Sequence, residues 1–343
     1  MDEVINSGWY VLGKKVEKFE SSWAEYTKSI GCVGVANGLD AIEIGLRVLN
    51  IGYGDEVITT SLTAFATTLA IIKAGAKPIF ADIDLSTGCI DVNSIKKIIT
   101  KNTKAIVAVH IYGRSCNLNQ LDDLCKKNNL FLIEDCAQAH GAKYQGKSLG
   151  NFGIFGAWSF YPTKNLGALG DAGAITSNDK NILEKAKYLR NYGQTLRYKH
   201  DFLGSNSRLD ELQAAVLIER LTYLQSWTES RRIIANKYWS LIKNKKITLL
   251  EQPKDEETHV NHLYVILIKD RDQFLSYLKD KGINTLIHYP IPNHKQKVFE
   301  NMNFDSLGLK NVEKFCNECI SLPISPHLKD EEIDYVIKVC NEY

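Results

Sequence analysis

Lys164 stands in the run Ser159-Phe-Tyr-Pro-Thr-Lys164-Asn-Leu-Gly-Ala-Leu-Gly-Asp-Ala-Gly, between an aromatic approach (155–161) and a string of small residues (167–174). Lysines usually keep charged or solvated company. Apolar neighbours desolvate the amine, and desolvation disfavours the charged ammonium. A neutral amine is a nucleophile, used chiefly for Schiff bases with carbonyls and with pyridoxal phosphate. On this segment alone, a solvated loop lysine accounts for the residues equally well. Leu130-Phe-Leu-Ile-Glu134 reads as a strand that delivers Asp135 at its carboxyl end, with Gln138 and His140 just beyond. An acid so placed can pair with a pyridinium nitrogen and hold the proton that makes pyridoxal phosphate an electron sink. A helix cap or a loop ion pair is the plainer use of the same carboxylate. Asn37-Gly38-Leu39-Asp40 follows another strand and opens a helix, whose unpaired N–H groups suit a phosphate. Ser159 ends a third strand, where its hydroxyl can reach the same group.

These residues need a frame that gathers strand ends. From residue 31 to about 180, short apolar runs alternate with helical stretches. Strands are expected at 31–36, 56–60, 77–82, 105–111, 130–134, 156–160 and 173–176, with helices at 39–49, 66–74, 92–99 and 118–128. That alternation reads as α/β with a mostly parallel sheet covered on both faces. Ligands of such sheets bind beyond the carboxyl ends of the strands, where Gly38, Asp135 and Ser159 fall. A long helical pattern starts near Leu209, with Ser207 and Asp210 placed as a capping box, and runs toward Lys243. Pro253 and the acidic stretch 255–257 mark a change of domain. A strand (263–268), a helix (272–281), a strand (284–289) and a final helix (329–341) follow.

The chain has 343 residues, 44% hydrophobic and 24% charged, with a net charge of +2. That composition suits a soluble globular protein and gives no reason to expect nucleic acid or an anionic membrane as partner. No apolar run reaches membrane-span length and no secretory signal is visible. Eight cysteines scattered through apolar segments suit reduced thiols in a cytoplasmic protein. Cys316 and Cys319 form one CxxC with no second pair nearby, so no metal site is expected.

Gly38-Leu-Asp-Ala41, Glu134-Asp-Cys-Ala-Gln-Ala-His140, Ser159-Phe-Tyr-Pro-Thr-Lys164-Asn165 and Asn206-Ser-Arg-Leu-Asp-Glu-Leu-Gln-Ala-Ala215 together resemble the DegT/DnrJ/EryC1/StrS sugar aminotransferases, in order and spacing. The resemblance implies the aspartate aminotransferase fold (fold type I), with a large seven-stranded domain and a small C-terminal α/β domain. Divisions at 1–22, 23–245 and 246–343 are expected. It implies that Lys164 bonds pyridoxal phosphate as a Schiff base and that Asp135 pairs with the pyridine nitrogen. Gln138 would lie by the ring hydroxyl. Gly38, Leu39 and Ser159 would hold the phosphate, joined by Asn206 of a second subunit in a homodimer. Tyr161, His288 and Tyr289 match positions around the sugar. The implied reaction takes an amino group from L-glutamate, by way of pyridoxamine phosphate, to C3 of a dTDP-3-keto-6-deoxyhexose. Its products are 3-amino-3,6-dideoxy sugars for surface polysaccharide.

Amination at C4 of a related nucleotide sugar is the nearest alternative, and a non-catalytic regulator on the same fold a more distant one. Sugar dehydratases of the superfamily carry histidine in place of the lysine, so Lys164 counts against them. Gly141-Ala-Lys-Tyr-Gln-Gly146-Lys147-Ser148 satisfies a P-loop pattern, but the following residues make poor helix. Many relatives place an aromatic residue over the cofactor ring at the position of Ala64. Here the aromatic is Phe65, and strand alternation would turn it away. Relatives also carry a further helical segment before Ser7, so a start internal to a longer chain is expected.

Overall fold

The computed structural model describes residues 1–302 and 308–343. Seven strands form the main sheet: β1 (Gly31–Val35), β2 (Glu56–Thr60), β3 (Lys77–Ala81), β4 (Thr103–Val109), β5 (Phe131–Asp135), β6 (Phe155–Ser159) and β7 (Gly173–Ser177). Their order is β1-β7-β6-β5-β4-β2-β3, with β7 antiparallel to both its neighbours and the other pairs parallel. This is the expected mostly parallel, seven-stranded α/β sheet. Alternation along each strand feeds two cores. In β4, Ala105 and Val107 join the cluster with Val33, Ile44 and Phe155, while Ile106 and Ala108 join that with Trp23, Trp158 and Phe160.

Helices α1 (Asp2–Ser7), α2 (Lys14–Thr27), α3 (Gly38–Val48), α4 (Phe65–Lys73), α5 (Val92–Lys96), α6 (Leu118–Asn128) and α7 (Lys180–Leu189) accompany the sheet. The sequence pattern passed over α2, although Val16, Phe19, Trp23 and Thr27 recur on one buried face. Its first N–H groups are satisfied from far away: the buried Glu211 carboxylate accepts from Gly13, Lys15 and Val16 at 2.8–2.9 Å. The helix α3 runs tight against β6. A Cβ on Gly45 would sit 2.1 Å from the Phe155 ring, and one on Gly38 2.6 Å from the Ser159 Cβ. Small residues at both positions let the helix N-terminus close on the strand end.

The long helix expected from residue 209 is two helices, α8 (Glu211–Leu221) and α9 (Leu224–Leu241). Thr222 turns its hydroxyl back onto the Glu219 carbonyl at 2.7 Å, a side-chain bond that competes with the helical ladder. The expected capping box is absent. Ser207 Oγ accepts from the Ala36 N–H at 3.1 Å instead, and Asp210 makes no side-chain cap bond.

Beyond α9, strands β8 (Thr248–Leu249), β9 (Tyr264–Leu267) and β10 (Cys319–Leu322) form a small antiparallel sheet. Helices α10 (Arg271–Asp280), α11 (Lys310–Glu318) and α12 (Asp330–Glu342) accompany it. Ile234 and Tyr238 of α9 share its core with Tyr264, Phe274, Ile320 and Val336. The strand expected at 284–289 is not formed. Among the described residues a single backbone bridge, Leu286 to Ser321, pairs this segment with the sheet, and Pro290 and Pro292 follow at once. The P-loop pattern folds as a hairpin, Lys143–Tyr144 against Lys147–Ser148, rather than as a strand-to-helix turn.

Candidate active site

Neighbouring acids on β5 show how the sheet sorts its side chains. Glu134 points to one face, where its carboxylate accepts from the N–H groups of Gly150, Phe152 and Gly153 at 2.7–2.8 Å. The fourth partner, His110 Nε2, lies at 3.1 Å. Burial pushes the Glu134 carboxyl up, but His110 and these N–H groups outweigh it and hold the pKa below the usual carboxylate value. His110, Glu134 and Cys136 bring possible metal-ligand atoms within 4.8 Å of one another. The Glu134 oxygens are already committed, however, and His110 Nδ1 accepts from the Cys116 N–H at 3.2 Å. That grouping is a hydrogen-bond network of the core.

Asp135, one residue on, faces the opposite way. One oxygen accepts from Thr67 Oγ1 at 2.7 Å and the other from the Ala137 N–H at 3.1 Å. Thr67 is itself bonded to Thr63 at 2.8 Å, and both threonines are buried. The carboxylate is thereby oriented, with acceptor capacity left over.

Lys164 follows the turn after β6, its N–H donating to the Tyr161 carbonyl at 2.8 Å. Part of the side chain meets solvent, yet burial around the amine pulls its pKa down to about 8, against a smaller upward pull from Asp135. The loop on either side is pinned. Asn165 bonds His262 Nδ1 at 3.0 Å and the Val260 carbonyl at 3.2 Å. Arg220 donates to the Gly167 carbonyl at 2.6 Å. The same crowding keeps histidines neutral. Burial, then Lys164, takes His140 down to about 3, and the same two causes lower His262 and His288.

The third corner is the start of α3. Asn37 caps it, its Oδ1 accepting from the Asp40 N–H at 2.8 Å, which leaves the Gly38 and Leu39 N–H groups with no acceptor inside the helix. Ser159 Oγ adjoins them through the close approach at Gly38. A carboxylate, a depressed amine, and an anion-binding corner thus share one end of the sheet.

Gln138 is buried beside Asp135's turn; its Oε1 accepts from the Tyr112 N–H at 2.6 Å and its Nε2 donates to the Tyr289 hydroxyl at 3.2 Å. Burial raises the Tyr289 pKa to about 12, with Asp135 adding to the rise. His288 bonds Ser321 through Nδ1 at 2.8 Å. Tyr161 is exposed next to Lys164. Gly38, Leu39, Asp135, Gln138, Ser159, Lys164, His288 and Tyr289 are therefore gathered around one end of the sheet. Asn206 is exposed, bridged to Asn191, and has no hydrogen bond to this group among the described residues. Phe65 starts α4 rather than lying on a strand, and stacks on Phe299 at 5.5 Å. Thr63, Thr67, Tyr112, Asn165 and His262 were missed. Only the i,i+4 threonine pair spanning the start of α4 left a visible trace in the sequence.

The sequence model of the DegT/DnrJ/EryC1/StrS aminotransferase family matches residues 1–341. The chain belongs to that family. It is 48% identical over 343 residues, all of this chain and 94% of the other, to dTDP-3-amino-3,6-dideoxy-alpha-D-galactopyranose transaminase of Aneurinibacillus thermoaerophilus. It is 43% identical over 345 residues, all of this chain and 93% of the other, to a pleiotropic regulatory protein of Geobacillus stearothermophilus. In structure it matches DesV of S. venezuelae in complex with a ketimine intermediate, with TM-score 0.96, 39% identity, and 99% and 92% of the two chains covered. NtdA of Bacillus subtilis with bound cofactor PMP matches with TM-score 0.93, 31% identity, and 99% and 79% covered. Members of this DegT/DnrJ/EryC1/StrS family are sugar aminotransferases dependent on pyridoxal phosphate, and so is this chain. No helix among the described residues is long and apolar enough to cross a membrane.

Proposed function

We propose that this chain transfers the amino group of L-glutamate to C3 of a dTDP-3-keto-6-deoxyhexose, with the galacto epimer preferred. The 48% identity to the Aneurinibacillus thermoaerophilus transaminase, spread over the whole chain, carries the reading. The residues fit the cofactor. Contact between Gly38 and Ser159 leaves a corner of N–H groups and a hydroxyl for its phosphate, while Asp135 and Lys164 lie within electrostatic reach of each other.

Bound pyridoxal phosphate supplies an electron sink for the carbanion at the α-carbon of the amino acid. The protein supplies the rest. With a pKa of about 8, about one Lys164 amine in ten is neutral at pH 7, against about three in ten thousand for an ordinary lysine. That amine is the group that would hold the cofactor, and it is placed to serve as general base toward the proton on the glutamate α-carbon. Asp135, oriented by Thr67 and the Ala137 N–H, keeps the pyridine nitrogen protonated. Gln138 would lie by the ring hydroxyl. Gly38, Leu39 and Ser159 would hold the phosphate on this protomer, and Asn206 of a second copy would reach it, so that a homodimer would be the working unit. Tyr161, His288 and Tyr289 receive the sugar. With eight cysteines free and buried, the enzyme suits the cytoplasm, where it makes an aminosugar precursor of surface polysaccharide.

A regulatory role is suggested only by the name of the Geobacillus stearothermophilus relative. The intact Lys164–Asp135 pair favours catalysis. Incubation with glutamate and each C4 epimer of the 3-keto sugar, followed by NMR of the product, tests the assignment. An amine at C3, made fastest from the galacto epimer, is expected; transfer only to a 4-keto sugar would overturn it. Borohydride treatment should independently fix the cofactor on the peptide containing Lys164.

A further inference from the structure

Tyr112 has a positive φ of 59° and lies fully buried in the turn after β4. A left-handed conformation is unusual for a bulky residue, and here it lets one residue address three segments of the site. Its N–H donates to Gln138 Oε1 at 2.6 Å. Its carbonyl accepts from the His262 N–H at 2.9 Å, and His262 holds Asn165, the neighbour of Lys164. Its hydroxyl donates to the His288 carbonyl. The backbone bonds thus serve the cofactor side, while the single side-chain polar atom serves the segment that carries His288 and Tyr289. That segment has little regular structure of its own to hold it.

We infer that Tyr112 is a positioning residue for the sugar half of the reaction, its hydroxyl fixing the His288–Tyr289 segment against a cofactor pocket that its backbone helps to build. The inference rests on the functional reading above. Burial, with smaller contributions from Cys319 and Tyr289, raises the phenol well above the usual tyrosine value, so the group stays a donor through the working pH range. The ring stacks on Phe315 at 6.1 Å, so removal of the hydroxyl leaves its packing in place. What is lost is the partner of a half-buried carbonyl at the edge of the site.

The test is Tyr112→Phe in the cofactor-loaded enzyme, with the two half-reactions followed separately by stopped-flow absorbance. The glutamate half-reaction should stay within about twofold of wild type, since the Gln138 and His262 bonds come from the backbone. The sugar half-reaction should lose on the order of tenfold in kcat/KM, mainly through KM. A double-mutant cycle with Tyr289→Phe should be non-additive for the sugar alone. Parallel loss in both half-reactions, as from general loosening of the fold, overturns the inference, and so does an unchanged sugar half-reaction. Failure of the wild-type enzyme to take an amino group from glutamate would instead count against the functional reading.

Discussion

The floor of the site and its rim are built by different means. On the floor, Asp135 and Ser159 end parallel strands, Gly38 opens a helix locked against one of them, and Lys164 follows a pinned turn. Sheet register sets the backbones of Asp135 and Ser159, and bonds from Asn165 and Arg220 pin the turn that carries Lys164. On the rim, residues 286–299 contribute one bridge to a sheet and leave Leu286, Ile291 and Val298 exposed. Side-chain bonds hold that segment: Tyr112 to the His288 carbonyl, Gln138 to Tyr289, His294 Nδ1 to Ser61 at 2.8 Å. On the proposed reading, rigid elements carry the amino-transfer chemistry and an irregular segment the choice of substrate.

If the division is sound, floor substitutions should lower both half-reactions and rim substitutions only one. Lys164→Ala should lose the most, on the order of 10³-fold or more in kcat for glutamate and sugar alike, as expected on loss of nucleophile and base together. Asp135→Asn should cost on the order of 10²-fold in both, because an amide does not hold the ring proton. Thr67→Val removes the neutral donor that orients Asp135 and should cost on the order of tenfold, again in both. Leu286→Ala, on the rim, should change KM for the sugar only a few-fold and leave the glutamate half-reaction alone. A rim variant that slows glutamate as much as sugar would erase the distinction.

Stability should show the same division. The Lys164 pKa is about 8 when folded and about 10.5 when not, so the unfolded chain binds more protons between those values. The charged amine therefore weakens the cofactor-free fold below pH 8, and the loss is recovered as pH rises toward 10.5. Lys164→Met should accordingly raise the Tm of the cofactor-free protein at pH 7 while abolishing turnover; a lower Tm would contradict the desolvation argument. His140 and His259, at about 3, act in the same sense but in a lower pH window. Their contribution is complete above about pH 6.5 and fades as pH falls toward 3, which circular dichroism can follow.

Much of the floor was legible in the sequence because its signals are local. A strand followed by Asp135, a strand ending in Ser159, and Asn-Gly opening a helix are each written within a few consecutive residues. Lys164's own segment left two readings open, and the family resemblance chose between them. What escaped is made by contacts distant in sequence. Glu211 was read as part of a helix start and caps a helix nearly two hundred residues earlier. Thr67 bonds Asp135 across 68 positions. The segment 284–289 has the composition of a strand, but it makes one backbone bridge, Leu286 to Ser321, and is otherwise held by side-chain bonds such as those to Tyr112, Gln138 and Ser321, so a pattern of period two had no ladder to extend. Phe65 was expected to turn away from the ring on strand alternation, whereas the residue begins a helix and packs on Phe299.

The central claim is that Lys164 and Asp135 run pyridoxal phosphate chemistry with glutamate as donor, and absorbance of the purified enzyme tests it most directly. The account predicts a visible band from the lysine-bound cofactor that collapses when L-glutamate is added and returns with the 3-keto sugar. In Lys164→Ala that lysine-bound band should be absent from the start. A wild-type band indifferent to glutamate, or a Lys164→Ala enzyme that still cycles, would contradict it.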